Sequence, residues 1–291
     1  MKLKQLIGIC GVLLFAACDT DIEPVDQRFV TPETQDPALW AQYMTCLAEY
    51  KQSEHYMTYA RFDNAPERIS SEKDCLRSMP DSLDIVALVN PLSTFDREDL
   101  AGVQAKSIKV LLIADCSDPA TAVQNVDDAI AAIAADGLDG IVVSYTGAVS
   151  DEAKATETTI AARLAALDKI AIFDGNADFV AVENRDKYSY YILDASNIGT
   201  VFSLRSEVDY TIERLGIPAE KLMLAASPSA VILDETLEEQ TALLEVARCV
   251  MAYGPLAGLG VYDISDDYYS ASVNYPLAKS AINLLNPAYT E

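Results

Sequence analysis

Eight short stretches of this chain are almost wholly apolar and rich in β-branched and aromatic residues. They are His55–Phe62, Leu83–Asn90, Ile108–Cys116, Gly137–Thr146, Ile170–Asn176, Tyr188–Asn197, Leu222–Ser229 and Ala257–Ile264. Runs of this kind suit strands buried on both faces of a parallel sheet. Their starts lie roughly 20 to 35 residues apart, room for a strand, a helix and two loops. The intervening segments change rhythm to a helical repeat. Ala120–Ala135 places apolar residues at Val123, Val126, Ile130 and Ile133, and Asp151–Leu167 at Ile160, Leu164 and Leu167. Thr200–Leu215 stops at Gly216, with Pro218 beyond it, and Glu235–Ala252 stops at Gly254-Pro255. Both endings are usual helix terminators. Tyr275–Leu285 closes the chain, and a helix over Pro37–Gln52, carrying Trp40, precedes the first strand. Eight strand–helix units predict an α/β fold of the (β/α)8 TIM barrel type. The alternative is an open doubly wound sheet. The first strand lacks the glycine-rich phosphate loop that such sheets often carry.

The first 35 residues stand outside this pattern. Lys2 and Lys4 precede an apolar run, Ile7–Ala17, shorter than a membrane span needs. Residues 1–17 read as a signal peptide. The end of the run, Leu14-Phe15-Ala16-Ala17-Cys18, resembles a bacterial lipobox, in which Cys18 would be lipidated and become the mature N-terminus. Asp19, Asp21 and Glu23 follow, resembling the surface-export signal of lipoproteins in gut Gram-negative anaerobes. That resemblance implies an outer-membrane, lipid-anchored protein facing outward. Residues 18–35, with Pro24 and Pro32, read as a tether, and 36–291 as the barrel domain.

Composition narrows the chemistry. The chain has 291 residues, 51% of them hydrophobic, and 45 Asp+Glu against 21 Lys+Arg, a formal charge of −24. Removing residues 1–17 takes away Lys2 and Lys4 and no acid, so the mature chain carries −26. Such a surface repels phosphate backbones, which excludes nucleic acid as a partner. One histidine and no metal-type cysteine spacing leave no multi-histidine or Cys-x-x-Cys centre, so no metal or cofactor is expected. Cys116 and Cys249 fall on apolar stretches and read as buried thiols, while Cys46 and Cys75 stay open as a bridge or as free thiols.

In a barrel the chemistry sits at the C-terminal ends of the strands. Here those ends supply Asn90, Asp115, Ser144, Tyr145, Thr146, Asp174, Asn176, Asp194, Asn197, Tyr262 and Asp263 as candidate ligand contacts. The most informative segment is the fourth, Asp136-Gly137-Leu138-Asp139-Gly140-Ile141-Val142-Val143-Ser144-Tyr145-Thr146. It resembles the glycoside hydrolase family 18 signature, D-G-x-D-G-x-D-x-D-x-E with an aromatic residue before the Glu. Strand alternation places the last three acids of that signature on one side, toward the mouth. The resemblance implies a Glu that protonates the glycosidic oxygen and an Asp that orients the substrate's 2-acetamido group, whose oxygen is the nucleophile. In this chain Asp139, Gly140, Ile141 and Tyr145 keep the frame, and Val142, Ser144 and Thr146 occupy the three acid positions. Threonine cannot act as a general acid near neutrality, and serine carries no charge to orient the acetamido group. Asp151 and Glu152 are read as first-turn acids of the next helix rather than replacements.

The segments His55–Phe62 with Asn64, Pro80–Val86 and Tyr190–Asn197 also resemble the first, second and sixth strands of endoglycosidase-like family 18 lipoproteins. Active members often carry a tyrosine near the position of Ser196. The expectation is a non-catalytic glycan-binding surface lipoprotein. The resemblance implies N-acetylglucosamine-containing, N-glycan-type ligands, and an outer-membrane glycan transporter with its binding lipoprotein as partners. Tyrosine, 15 residues against 7 Phe and 1 Trp, supplies stacking faces, with Tyr145, Tyr262, Tyr268 and Tyr269 near strand ends. Two alternatives remain open. One is a glycosidase whose acids are rearranged among Asp115, Asp174, Asp194 and Asp263. The other is a structural or adhesin-like surface protein whose mouth is filled by side chains.

Overall fold

The computed structural model describes residues 31–64 and 68–287. The proposed signal peptide, Cys18 and most of the tether lie outside the described residues. The described residues fall into two compact units, those up to Tyr43 and those from Met44 onward. In the first, a single turn, α1 (Pro32–Gln35), precedes the start of α2 (Pro37–Gln52).

The second unit is the barrel. Its strands are β1 (Met57–Phe62), β2 (Ile85–Leu88), β3 (Lys109–Asp115), β4 (Gly140–Tyr145), β5 (Ile170–Gly175), β6 (Tyr190–Asp194), β7 (Leu222–Ala226) and β10 (Gly258–Val261). They close in the order β1-β10-β7-β6-β5-β4-β3-β2, and every pairing is parallel. Each falls inside one of the eight predicted runs. Four of them, β2, β4, β7 and β10, are buried along their whole length and β5 along all but its two end residues, as near-continuous apolar runs require.

The helices α3 (Thr94–Ala105), α4 (Pro119–Asp136), α5 (Asp151–Leu164), α6 (Val201–Asp209), α7 (Ala242–Ala252) and α8 (Pro276–Leu285) flank the barrel. Helix α3, with a mixed apolar pattern, was not among the predicted segments; a capping box, Ser93 with Asp96, starts it. The helix expected over Glu235–Ala252 begins only at Ala242. The residues before it form a hairpin, β8 (Val231–Leu233) with β9 (Glu239–Thr241), whose turn is held by the Asp234 side chain. No helix follows β5. Two 3-10 stretches, Ala177–Phe179 and Val182–Lys187, take its place, and the buried Glu157 of α5 accepts a hydrogen bond from Asn184 across that gap at 2.9 Å.

Two apolar layers result. An outer one joins strands to helices, and an inner one fills the lumen with Tyr59, Ile85, Ala87, Leu111, Val142, Ile172, Ile192, Met223, Ala225 and Tyr262. Cys116 and Cys249 are buried free thiols, pushed by burial up to about 12 and about 11, and Cys46 and Cys75 are also free.

Candidate functional site at the barrel mouth

Strand alternation sorts the fourth strand into two faces. Val142 packs in the lumen, while Ile141, Val143 and Tyr145 belong to the outer layer. Ser144 and Thr146, two and four residues beyond Val142, therefore face the mouth. Tyr145 does not. It is buried, stacks on Phe179 with ring centroids 4.0 Å apart, and its hydroxyl donates to the Ala148 carbonyl at 2.7 Å. The aromatic residue of the motif thus packs the strand against the outer layer, and Tyr145, expected as a ligand contact, points away from the mouth.

The start of the same strand explains why the frame of the motif survives without its acids. Gly137 ends α4 in the left-handed conformation, φ 73°. Asp136 accepts two hydrogen bonds from Arg97. Asp139 accepts from the Val110 backbone at 3.0 Å and from Gln104 at 2.9 Å, tying β4 to β3 and α3. A Cβ on Gly140 would lie 2.1 Å from the Ile170 carbonyl oxygen. These residues stand at the opposite end of the strand from the mouth and do structural work.

The mouth has a floor and a rim. Asp115, Ser144 and Asp174 sit side by side on β3, β4 and β5 through the register Asp115↔Ser144 and Ser144↔Asp174. Ser144 and Asp174 are buried in the floor, whereas Asp115 is exposed at the rim. Tyr262, just past β10, lies over the lumen and its hydroxyl donates to Asp174 Oδ1. The guanidinium of Arg61, at the end of β1, sits 3.8 Å from Asp174 Oδ2 and 5.6 Å from the Tyr262 ring centroid. Asp174 is only 3% exposed, and its Oδ2 has no hydrogen bond. Burial pushes its carboxyl up to about 6, against the pull of the Tyr262 hydroxyl and the Arg61 charge, and with a further push from Asp194. The Tyr59 hydroxyl, beneath, is likewise buried without a partner.

Thr146, Asn176, Asn197 and Asp263 are exposed at the rim, and Asp194 is half-buried. Several already hold local structure. Thr146 shares a 3.1 Å hydroxyl contact with Ser117. Asn176 caps the 3-10 turn after β5, and Asp194 accepts from the Ser196 backbone at 2.8 Å. Asp263 adopts φ 47° at the start of another 3-10 turn. Asn90 is engaged in local structure at the ends of β1 and β2, donating to Asp63 and to the Asn64 carbonyl while its backbone N–H donates to Asn64 Oδ1. Asp151 and Glu152 open α5, behind the Ser150 cap, as expected.

Asn176 and Asp194 also meet in a cleft of about 240 Å³ beside the mouth, together with Asp178, Glu207 and Tyr210. Tyr268 packs edge-on to Tyr275, while Tyr269 projects into solvent. Among the described residues no cluster of His, Cys, Asp and Glu has the arrangement of a metal site. Arg61 is not legible as a site residue from composition, because its run reads as a plain apolar strand. Period-2 alternation from the inward Tyr59 is the signal that points it at the mouth.

Comparison with known proteins follows the same lines. The family described as glycoside hydrolase family 18, BT1044-like, matches residues 20–112. No curated protein matches the chain. Among solved structures, a variant of BT1044 superposes with a TM-score of 0.68 at 20% identity, covering 89% of this chain and 96% of that one. An endo-beta-N-acetylglucosaminidase from Cordyceps militaris superposes at 0.65 with 15% identity, covering 84% and 96%. A mutant of that enzyme in complex with fucosyl-N-acetylglucosamine-Asn gives 0.63 at 16% identity, covering 84% and 95%. The chain has a glycoside hydrolase family 18-like fold.

Proposed function

We propose that this chain is a glycan-binding protein with no family 18-type hydrolytic machinery. Its ligands are N-acetylglucosamine-containing oligosaccharides of the N-glycan class. The reading rests above all on the mouth-facing end of β4, where Val142 packs in the lumen and Ser144 and Thr146 supply hydroxyls where the family signature has carboxylates. Without an acid at Thr146, nothing there protonates a leaving glycosidic oxygen. Without a charge at Ser144, nothing there holds the acetamido group for attack. The fold and the family match over residues 20–112 support a carbohydrate ligand. The lipobox-like Cys18 supports a lipid anchor on the outer membrane, Asp19, Asp21 and Glu23 support an outward-facing placement, and the family resemblance supports a glycan transporter and its binding lipoprotein as partners.

Isothermal titration of the purified protein with chitooligosaccharides and N-glycan oligosaccharides tests this, alongside a reducing-end assay on the same compounds. Binding without turnover is the expected outcome. No binding to any N-acetylglucosamine oligosaccharide rejects the reading.

One observation favours a hydrolase with rearranged acids. Asp174, raised to about 6 by burial, has the protonation behaviour of a general acid. Against it, Oδ1 already accepts from Tyr262 and the carboxyl is closed off from the rim. Turnover that disappears in both Asp174→Ala and Asp194→Ala would favour this second reading.

A further inference from the structure

Arg61 brings a permanent positive charge to the mouth, beside the Asp174 carboxylate. Among the described residues its guanidinium makes no hydrogen bond. Its one ionic contact, 3.8 Å to Asp174 Oδ2, is longer than a hydrogen bond. The side chain is nonetheless placed. It lies over the face of Tyr262, and Tyr262 is itself anchored to Asp174 by its hydroxyl. About a third of the side chain, 33%, stays open to solvent, whereas Asp174 and Tyr262 beneath it are buried. The guanidinium is therefore presented at the mouth, seated on Asp174 and Tyr262, with no hydrogen bond to any described residue.

We propose that Arg61 is a ligand-contacting residue of the mouth, and that Asp174 and Tyr262 are positioning residues that hold it. The inference rests on the glycan-binding reading and names the group that the site takes: a neutral acceptor, such as a sugar hydroxyl oxygen or an amide carbonyl. Charge decides between neutral and anionic groups. Asp174 lies directly against the guanidinium, and Asp194 is close enough to act on Asp174 through its charge. Asp263, just after β10, and Asp115, at the end of β3 two strands from β1, are exposed at the same end of the barrel. A carboxylate or sulfate would meet this acidic surround, whereas an uncharged oxygen gains a charge-assisted hydrogen bond at no such cost.

The positioning role has a pH signature. The groups facing Asp174 are Arg61 and Tyr59 from β1, Tyr262 after β10 and Asp194 from β6. Protonation of Asp174 removes the anion that holds Arg61 over the ring. Ligand affinity then falls as pH drops through about 6.

The test is titration of the purified protein with triacetylchitotriose, a neutral probe, and with sialyllactose, an anionic one. Arg61→Ala is expected to weaken triacetylchitotriose binding about tenfold or more, and Arg61→Lys by less, since it keeps the charge and loses the fork. Thermal unfolding of both variants is measured in parallel, and Arg61→Lys carries the test should Arg61→Ala fail to fold. The native protein is expected to lose affinity several-fold between pH 7 and pH 5, and Asp174→Asn to show a flat profile. Arg61 variants that bind triacetylchitotriose within twofold of the native protein overturn the inference and leave the glycan-binding reading standing. A preference for sialyllactose that vanishes in Arg61→Ala overturns the neutral-acceptor assignment. A native protein that binds neither probe, nor any N-acetylglucosamine oligosaccharide, removes both readings together.

Discussion

Gly140 and Thr146 stand at opposite ends of one strand and answer to different constraints. Gly140 has no room for a side chain, because a Cβ would meet the Ile170 carbonyl at 2.1 Å, a rigid backbone atom of the neighbouring strand. Gly140→Ala is expected to cost about 3 kcal/mol by forcing β4 and β5 apart, read as a lower urea midpoint. Thr146 lies in the exposed rim, where substitution is structurally cheap. Thr146→Glu is expected to fold normally and to give no detectable reducing ends from N-glycan or chitin oligosaccharides, because Ser144 supplies no charge to orient an acetamido group. Clear turnover from this single change would show that the supporting apparatus is intact. The contrast explains how the motif can keep its frame and lose its chemistry. Asp136, Gly137, Asp139 and Gly140 are needed to build the strand, whereas carboxylates at positions 142, 144 and 146 are not.

At the scale of elements, the end of α2 is clasped to the start of β2 beneath the barrel, away from the mouth. Asp84 accepts from Lys51 at 3.0 Å, from His55 Nε2 at 3.1 Å, and from the Thr58 backbone and hydroxyl at 2.7 and 2.9 Å. His55 Nδ1 faces the Ser53 carbonyl at 2.7 Å. Both ring nitrogens thus face acceptors, so the doubly protonated ring satisfies both. The hydrogen bond with Asp84 raises the His55 pKa, against the opposing effect of burial. A pKa higher in the folded than in the unfolded chain gives stability that is complete below the unfolded value, about 6.5. That stability is lost as pH rises through the folded value. His55→Gln is expected to lower stability by about 1–2 kcal/mol at pH 6 and by less at pH 9, in urea unfolding at both pH values. A gap that is equal at the two pH values would refute this. The cavity of about 830 Å³ lined by His55, Tyr56, Lys279 and Asn286 is at this end too. In barrels of this kind that face serves stability rather than chemistry.

Across the whole molecule, the barrel must bring its last helix back to its first strand. Asn286, just past α8, accepts from the Tyr56 backbone N–H at 2.9 Å and donates to the Tyr56 carbonyl at 2.8 Å, across 230 residues of sequence. Asn286→Ala leaves both half-buried backbone groups without that partner. It is expected to cost about 1–3 kcal/mol and to speed amide hydrogen exchange in β1 and α8 before the rest of the barrel. Uniform protection across the barrel in the variant would contradict that role.

The amino-acid sequence by itself determined the eight buried strands, most of the helices, and the inward direction of Val142, Ser144 and Thr146. All of these follow from periodicities of 2 and 3.6 residues that act over a few neighbours. It did not show that residues 235–241 would turn back into a hairpin, that 3-10 turns would replace the helix after β5, that Tyr145 would be buried in the outer layer, or that Asn90 would be tied to Asp63 and Asn64. Only the closed barrel brought Arg61, Asp174 and Tyr262 together. They come from the first, fifth and last strands of the barrel and meet across its mouth. Alternation along a strand sets which face a side chain takes, whereas the partner it meets across the lumen depends on the register and closure of all eight strands.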